Sequence, residues 1–225
     1  MENNKKLIFA ALRKFVLGIL ILGAFLFLSA GDVTYWNAWL FLSAFAICMI
    51  FFGIYLYRTD KELLQKRLNS KEKEEEQKAY TYLAGISFLA TFGVCGFDYR
   101  FAWSNVPLPA VIIALFVMLA GFALFVITLV YNRFASRTVE IQNEQKVIDT
   151  GVYSVVRHPM YTAAITMFFA SPLVLGSLWA VIPMLLFLAG IIMRIRNEEK
   201  VLLNGLDGYA EYMKKVRYRL IPFIW

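Results

Sequence analysis

The chain has one histidine, His158, and two cysteines, Cys48 and Cys95. A single histidine excludes a His-rich zinc or iron site. Each cysteine sits inside an apolar run and no Cys-x-x-Cys occurs, which excludes a disulfide framework and a thiolate metal site. No metal is expected. No Gly-x-Gly-x-x-Gly follows a strand-like segment, so a soluble dinucleotide-binding unit has no support. Charged residues make up only 17% of the chain, against about 25% in an ordinary soluble domain.

Apolar length is what the chain has in abundance. It is 60% hydrophobic and 16% aromatic over 225 residues, and these residues come in long uncharged blocks, as in an integral membrane protein. The formal net charge of +7 does not call for nucleic acid. In a membrane protein, a basic excess reports cytoplasmic loops and anionic headgroups.

Four blocks read as single spans: Phe15 to Ala30, Val33 to Tyr57, Ala79 to Phe97, and Phe101 to Asn132 with Pro107 and Pro109 near its start. The first is extended by Leu7 to Leu12 beyond Arg13 and Lys14, which can snorkel. It lacks a small-x-small cleavage site and reads as an uncleaved span. The last block, Pro159 to Met193, is uncharged over 35 residues. As one helix it would run roughly 52 Å at 1.5 Å per residue, far beyond a bilayer core of about 30 Å. Ser171, Pro172, Gly176, Ser177 and Pro183 interrupt it, so a tight helical hairpin turning near Gly176 is expected.

Basic residues fix the orientation. Four Lys or Arg precede the first span, seven lie in Arg58 to Lys78, four in Arg133 to Arg157 and seven in Arg194 to Arg219, while only Arg100 lies on the other side. The expectation is an all-α polytopic transmembrane helical bundle of about six passes, the last two a hairpin, with both termini cytoplasmic. It divides into residues 1–130, four spans, and 131–225, the charged motifs, hairpin and an interfacial C-terminal helix closing the cytoplasmic face. The charged segment from Arg58 to Tyr80 reads as a solvated, helical connector.

Two motifs lie where apolar runs meet water: GVYSVVRHPMY, Gly151 to Tyr161, and RIRNEE, Arg194 to Glu199. The hairpin returns Arg194 to the side that holds His158, so the two form one candidate pocket. Each has a plain reading. RHP can be a basic anchor opening a helix, with Pro159 at its first position. Arg194 and Glu198 stand i and i+4 and can form an ion pair on one helix face. Tyr153 and Tyr161 fit an interfacial aromatic belt. Topology, however, needs only basic residues. Two adjacent carboxylates, Glu198 and Glu199, add a desolvation cost near a membrane and call for a purpose.

The stretch YNRFASRTVEIQNEQKVIDTGVYSVVRHPMY and then RIRNEEKVLLNGLDGYAEYMKKVRYRLIPFI, Tyr131 to Ile224, resembles the isoprenylcysteine carboxyl methyltransferase family and its phospholipid methyltransferase relatives. The RHPxY and the paired Glu carry the resemblance together. It implies an integral membrane enzyme that uses S-adenosyl-L-methionine from a cytoplasm-facing pocket, on a lipid-like or prenylated substrate entering from the bilayer. By the same resemblance, Gln142, Gln145, Lys146, Val147 and Ile148 line the cofactor. Tyr153, His158, Pro159, Met160 and Tyr161 complete its pocket. Glu198, with Glu199 beside it, meets the cofactor's amino acid end, and Arg194, supported by Arg196, faces the substrate carboxylate. Arg194 and Glu198 are thus the expected catalytic pair.

The chemistry agrees. Methyl transfer from a sulfonium is an in-line displacement that needs positioning above all. An ionised carboxylate is already nucleophilic, and an arginine orients it well. Three other readings stay open: a lipid-amine N-methyltransferase of the same fold, which would need a base such as Glu199; a membrane reductase using NADPH; and a transport or scaffold protein, against which stands the lack of ionisable groups at mid-span. The compact N-terminal half suggests a prokaryotic plasma membrane.

Overall fold

The computed structural model describes residues 2–68, 75–132, 134, 141 and 144–225. Among these residues there are eight α-helices and no strand. They are α1 (Glu2–Ala30), α2 (Trp36–Thr59), α3 (Lys61–Leu68), α4 (Glu75–Phe101), α5 (Leu108–Tyr131), α6 (Pro159–Val174), α7 (Val181–Gly205) and α8 (Tyr209–Lys215). Four are long and apolar enough to cross a membrane: Asn4–Ala30, Trp36–Thr59, Tyr80–Phe101 and Leu108–Tyr131. These are the four expected spans. The apolar helix Pro159–Val174 is shorter.

The surface is that of a protein dissolved in lipid. Leu20, Leu28, Phe51, Leu89, Ile113 and Phe116 are all more than 60% exposed. In water such a surface would aggregate, whereas against acyl chains it carries no penalty, and helices satisfy their own backbone polar groups. Helix α1 runs unbroken through Arg13 and Lys14. The Lys14 ammonium reaches back to donate to the carbonyl of Leu68 at 2.5 Å, where the end of α3 attracts positive charge.

The fourth span begins later than its apolar run. Helix α4 continues through Phe101, and Ala102 follows with φ 53°. Buried Asp98 then takes the amide of Ser104 at 2.6 Å and its hydroxyl at 2.7 Å. Helix α5 starts at Leu108 behind Pro107. Asp98 and Arg100 mark this corner in the sequence but not its length, because the uncharged residues 102–107 form the turn rather than the next helix.

The hairpin turns where expected. Gly176 has φ 79°, and the amide of Ser177 donates to Pro172 O at 2.9 Å. The turn is pinned from three sides. Ser177 Oγ donates to Asp98 at 2.5 Å, Asn37 Nδ2 donates to Val174 O at 2.9 Å, and Tyr35 donates to Leu175 O. Beyond the turn the two arms choose different neighbours. Helix α6 lies on α5 so closely that a Cβ on Gly121 would stand 2.8 Å from the backbone nitrogen of Met167. Helix α7 packs on α4, and aromatic rings separate the two arms. Phe168 and Phe187 meet edge to face at 5.4 Å, and Phe88 of α4 packs on both.

Gly121→Val should therefore force α5 and α6 apart and cost about 1–3 kcal/mol or more from overpacking. Gly53→Ala, whose Cβ meets nothing within 4 Å, should be neutral or stabilising by up to about 1 kcal/mol. Thermal midpoints of the detergent-solubilised proteins check this: the first falls, the second does not.

Candidate active site

The site forms where the chain leaves α5, returns through a short turn and enters α6. Gly151 makes the return possible. Its φ is 58°, and a Cβ there would lie 2.2 Å from the ring of Tyr131, so any side chain would collide with the end of α5. One 3-10 turn follows, Gly151–Ser154. The chain then pairs with the C-terminal tail: Arg157 N donates to Tyr218 O and His158 N to Arg219 O, both at 2.9 Å. His158 caps α6 with φ −125° and ψ 60°, and Pro159 takes the first helical position, as expected of a residue before proline.

One buried carboxylate ties these pieces together. Glu199, 4% exposed, accepts from Arg157 Nε at 2.8 Å on one oxygen and from Arg219 Nε at 2.8 Å on the other. His158 Nε2 lies 3.3 Å from the first oxygen. Arg157 also donates to Val216 O and Arg217 O at 2.8 Å. Burial raises the Glu199 pKa, but His158, Arg219 and Arg157 outweigh it and hold the carboxyl down at about 2.

A second chain of contacts runs alongside. Arg194 Nε donates to the hydroxyl of Tyr161 at 2.8 Å, and that hydroxyl donates to Glu198 at 2.5 Å. The face shared by Arg194 and Glu198 thus carries a tyrosine bridge. The Arg194 guanidinium also lies over the ring of Tyr80, 4.7 Å from its centre.

These groups border an open cavity of about 100 Å³, or about 850 Å³ when the solvent at its mouth is counted. Of the expected residues, Gln145, Lys146, Val147, Ile148, Tyr153, His158, Met160, Tyr161, Arg194 and Glu198 line it. Three expected residues are placed elsewhere. Glu199 stands behind the wall, with both oxygens taken by arginines. Pro159 is buried in the first turn of α6, and Arg196 is exposed, two residues and about 200° around α7 from Arg194. Gln142 lies outside the described residues.

The cavity also recruits residues that motif reading missed. Asn132, Phe134, Arg157, Val201, Leu202, Leu206, Tyr209 and Tyr212 line it too. The spacing held a signal for some of them. Val201 and Leu202 stand three and four residues beyond Glu198, on its own helix face. Tyr212 donates to Tyr153 O at 2.8 Å, and Asn132 donates to the Tyr153 hydroxyl at 3.1 Å, so the tail and α5 both brace the wall.

Residues 109–206 match the phospholipid methyltransferase family. The match spans both RHPMY and RIRNEE and indicates a membrane methyltransferase. The resemblance carried by those motifs holds. No curated protein matches the chain.

Removing Glu199 tests the architecture. Glu199→Ala leaves Arg157 buried and uncompensated and should cost about 3–5 kcal/mol, with faster tryptic cleavage at Arg217 and Arg219. The pH dependence follows from the depressed pKa. The stabilisation is complete above the ordinary value of 4.5 and is lost as pH falls towards about 2. Unfolding midpoints measured between pH 6 and 2 should fall in the wild type and stay flatter in Glu199→Ala.

Proposed function

We propose that the cavity binds S-adenosyl-L-methionine and that the protein methylates the carboxylate of a lipid-bearing substrate of isoprenylcysteine type. The observation that carries this reading is the Arg194–Tyr161–Glu198 chain on the cavity wall. It sets a cation and a carboxylate side by side, which suits a zwitterionic cofactor and an anionic acceptor meeting in one place.

Glu198 pairs with the cofactor's ammonium. His158, oriented through Nε2 by Glu199, offers its other ring nitrogen to the cofactor's carboxylate. The Gln145 to Ile148 segment borders the nucleoside half. When bound, the cofactor supplies an electrophilic methyl group on a sulfonium. Arg194 holds the acceptor carboxylate and orients one oxygen for in-line attack, so no general base is needed. Tyr161 fixes Arg194 in that attitude. The lipid and the C-terminal tail exclude water and strengthen these charge contacts. The substrate enters sideways from the bilayer, with about six passes and both termini on the cytoplasmic side.

Calorimetry on the detergent-purified protein tests the cofactor. S-adenosylhomocysteine should bind in the micromolar range, ~8 kcal/mol, and NADPH should not. Glu198→Gln should weaken that binding. Arg194→Ala should keep it and lose turnover of a prenylcysteine analogue by roughly 100-fold or more. Binding of NADPH without S-adenosylhomocysteine would overturn the reading in favour of a reductase.

A further inference from the structure

Four tyrosines line the cavity: Tyr153, Tyr161, Tyr209 and Tyr212. Three have their hydroxyls committed. Tyr153 accepts from Asn132, Tyr161 bridges Arg194 and Glu198, and Tyr212 donates to Tyr153 O. Tyr209 is different. It is 4% exposed, and its hydroxyl is buried with no hydrogen-bond partner among the described residues. A buried hydroxyl left unpaired costs about 1–3 kcal/mol, so its presence in a residue of the cavity wall calls for a partner that the described residues do not supply.

The surroundings say what kind of partner. Tyr209 packs with Tyr212 and Val216, and Val147, Leu202 and Leu206 lie against them. Val147, Leu202, Leu206 and the two tyrosines form an apolar, aromatic patch of the cavity wall, different in character from the Arg194–Tyr161–Glu198 chain on the same wall. A flat heteroaromatic ring with an acceptor on its edge matches such a surface: apolar faces against the side chains, and one polar atom for the phenol. Burial, together with the nearby Glu199 and Glu198 carboxylates, pushes the Tyr209 phenol well above its ordinary pKa. It keeps its proton and acts as a donor.

We infer that Tyr209 is a specificity-determining residue whose hydroxyl donates a hydrogen bond to an acceptor atom of the cofactor's nucleoside half. The inference rests on the proposed use of S-adenosyl-L-methionine. It places nucleoside recognition on the C-terminal helix α8, outside the RHPMY and RIRNEE motifs, and leaves the amino acid end to Glu198.

Tyr209→Phe removes the hydroxyl and keeps the ring packing. The test compares wild type, Tyr209→Phe and Glu198→Gln in calorimetry with two ligands, S-adenosylhomocysteine and 5′-methylthioadenosine, which lacks the amino acid. Tyr209→Phe should weaken both by the same factor, about tenfold, and Glu198→Gln should weaken only the first. The ligand-free Tyr209→Phe protein should melt at or above the wild-type temperature, because an unpaired buried hydroxyl has been removed. Equal affinity of wild type and Tyr209→Phe for both ligands overturns this inference alone. So does a loss confined to S-adenosylhomocysteine, or a lower melting temperature of the empty variant, which would reveal a structural partner for the hydroxyl. Failure of the wild type to bind either ligand overturns the cofactor assignment, and this inference with it.

Discussion

The half of this molecule that holds the cavity depends on one carboxylate. Glu199 is buried in α7 and satisfied by two arginines and a histidine that come from different parts of the chain. Arg157 and His158 open α6, and Arg219 belongs to the tail. A buried charge is tolerable only when its partners surround it, so the ion cluster admits one arrangement of the three segments and penalises others. The backbone pairing of Arg157 and His158 with Tyr218 and Arg219 follows from that arrangement.

The cavity is a consequence of the same constraint. Holding the tail against the start of α6 brings Tyr209 and Tyr212 across from Tyr153 and His158. The adjacent residue, Glu198, is turned about 100° around the helix from Glu199 and faces the open space. Two neighbouring glutamates thus divide the labour. One organises the walls, and the other contributes its charge to the interior through Tyr161. The matched family segment ends at residue 206, while the walls it shares are completed by α8 beyond it.

Much of this was legible in the sequence. The four spans are a matter of apolar length, and the hairpin turn was marked by Gly176 between runs too long for one helix. His158, Glu198 and Arg194 stood out because polar groups at a membrane boundary are rare enough to mean something. What escaped reading was pairing across long separations. The i to i+4 spacing in RIRNEE set Glu198 beside Arg194, but nothing in the motif shows that Glu199 is buried behind the wall, because its partner Arg219 lies twenty residues on. Tyr209 and Tyr212 were part of a segment read only as an interfacial helix, since their place in the cavity wall depends on a tail fold that no periodicity encodes. The start of α5 differs for a similar reason: residues 102–107 carry no charge, yet they form a corner held by Asp98 and Ser104.

The choice of neighbours by the two hairpin arms has a mechanical consequence. Helix α6 is locked to α5 at Gly121, helix α7 rides on α4, and the turn is pinned by Asp98, Asn37 and Tyr35. The pair is built like tongs hinged at the turn, with Tyr161 and Arg194 at the tips. From hinge to tip is about 22 Å of helix, so roughly 3° of tilt moves the tips by about 1 Å. For the proposed methyl transfer, displacements of that size alter the rate by about two orders of magnitude. The turn between the arms, remote from the cavity, therefore sets the tolerance to which Tyr161 and Arg194 are aligned.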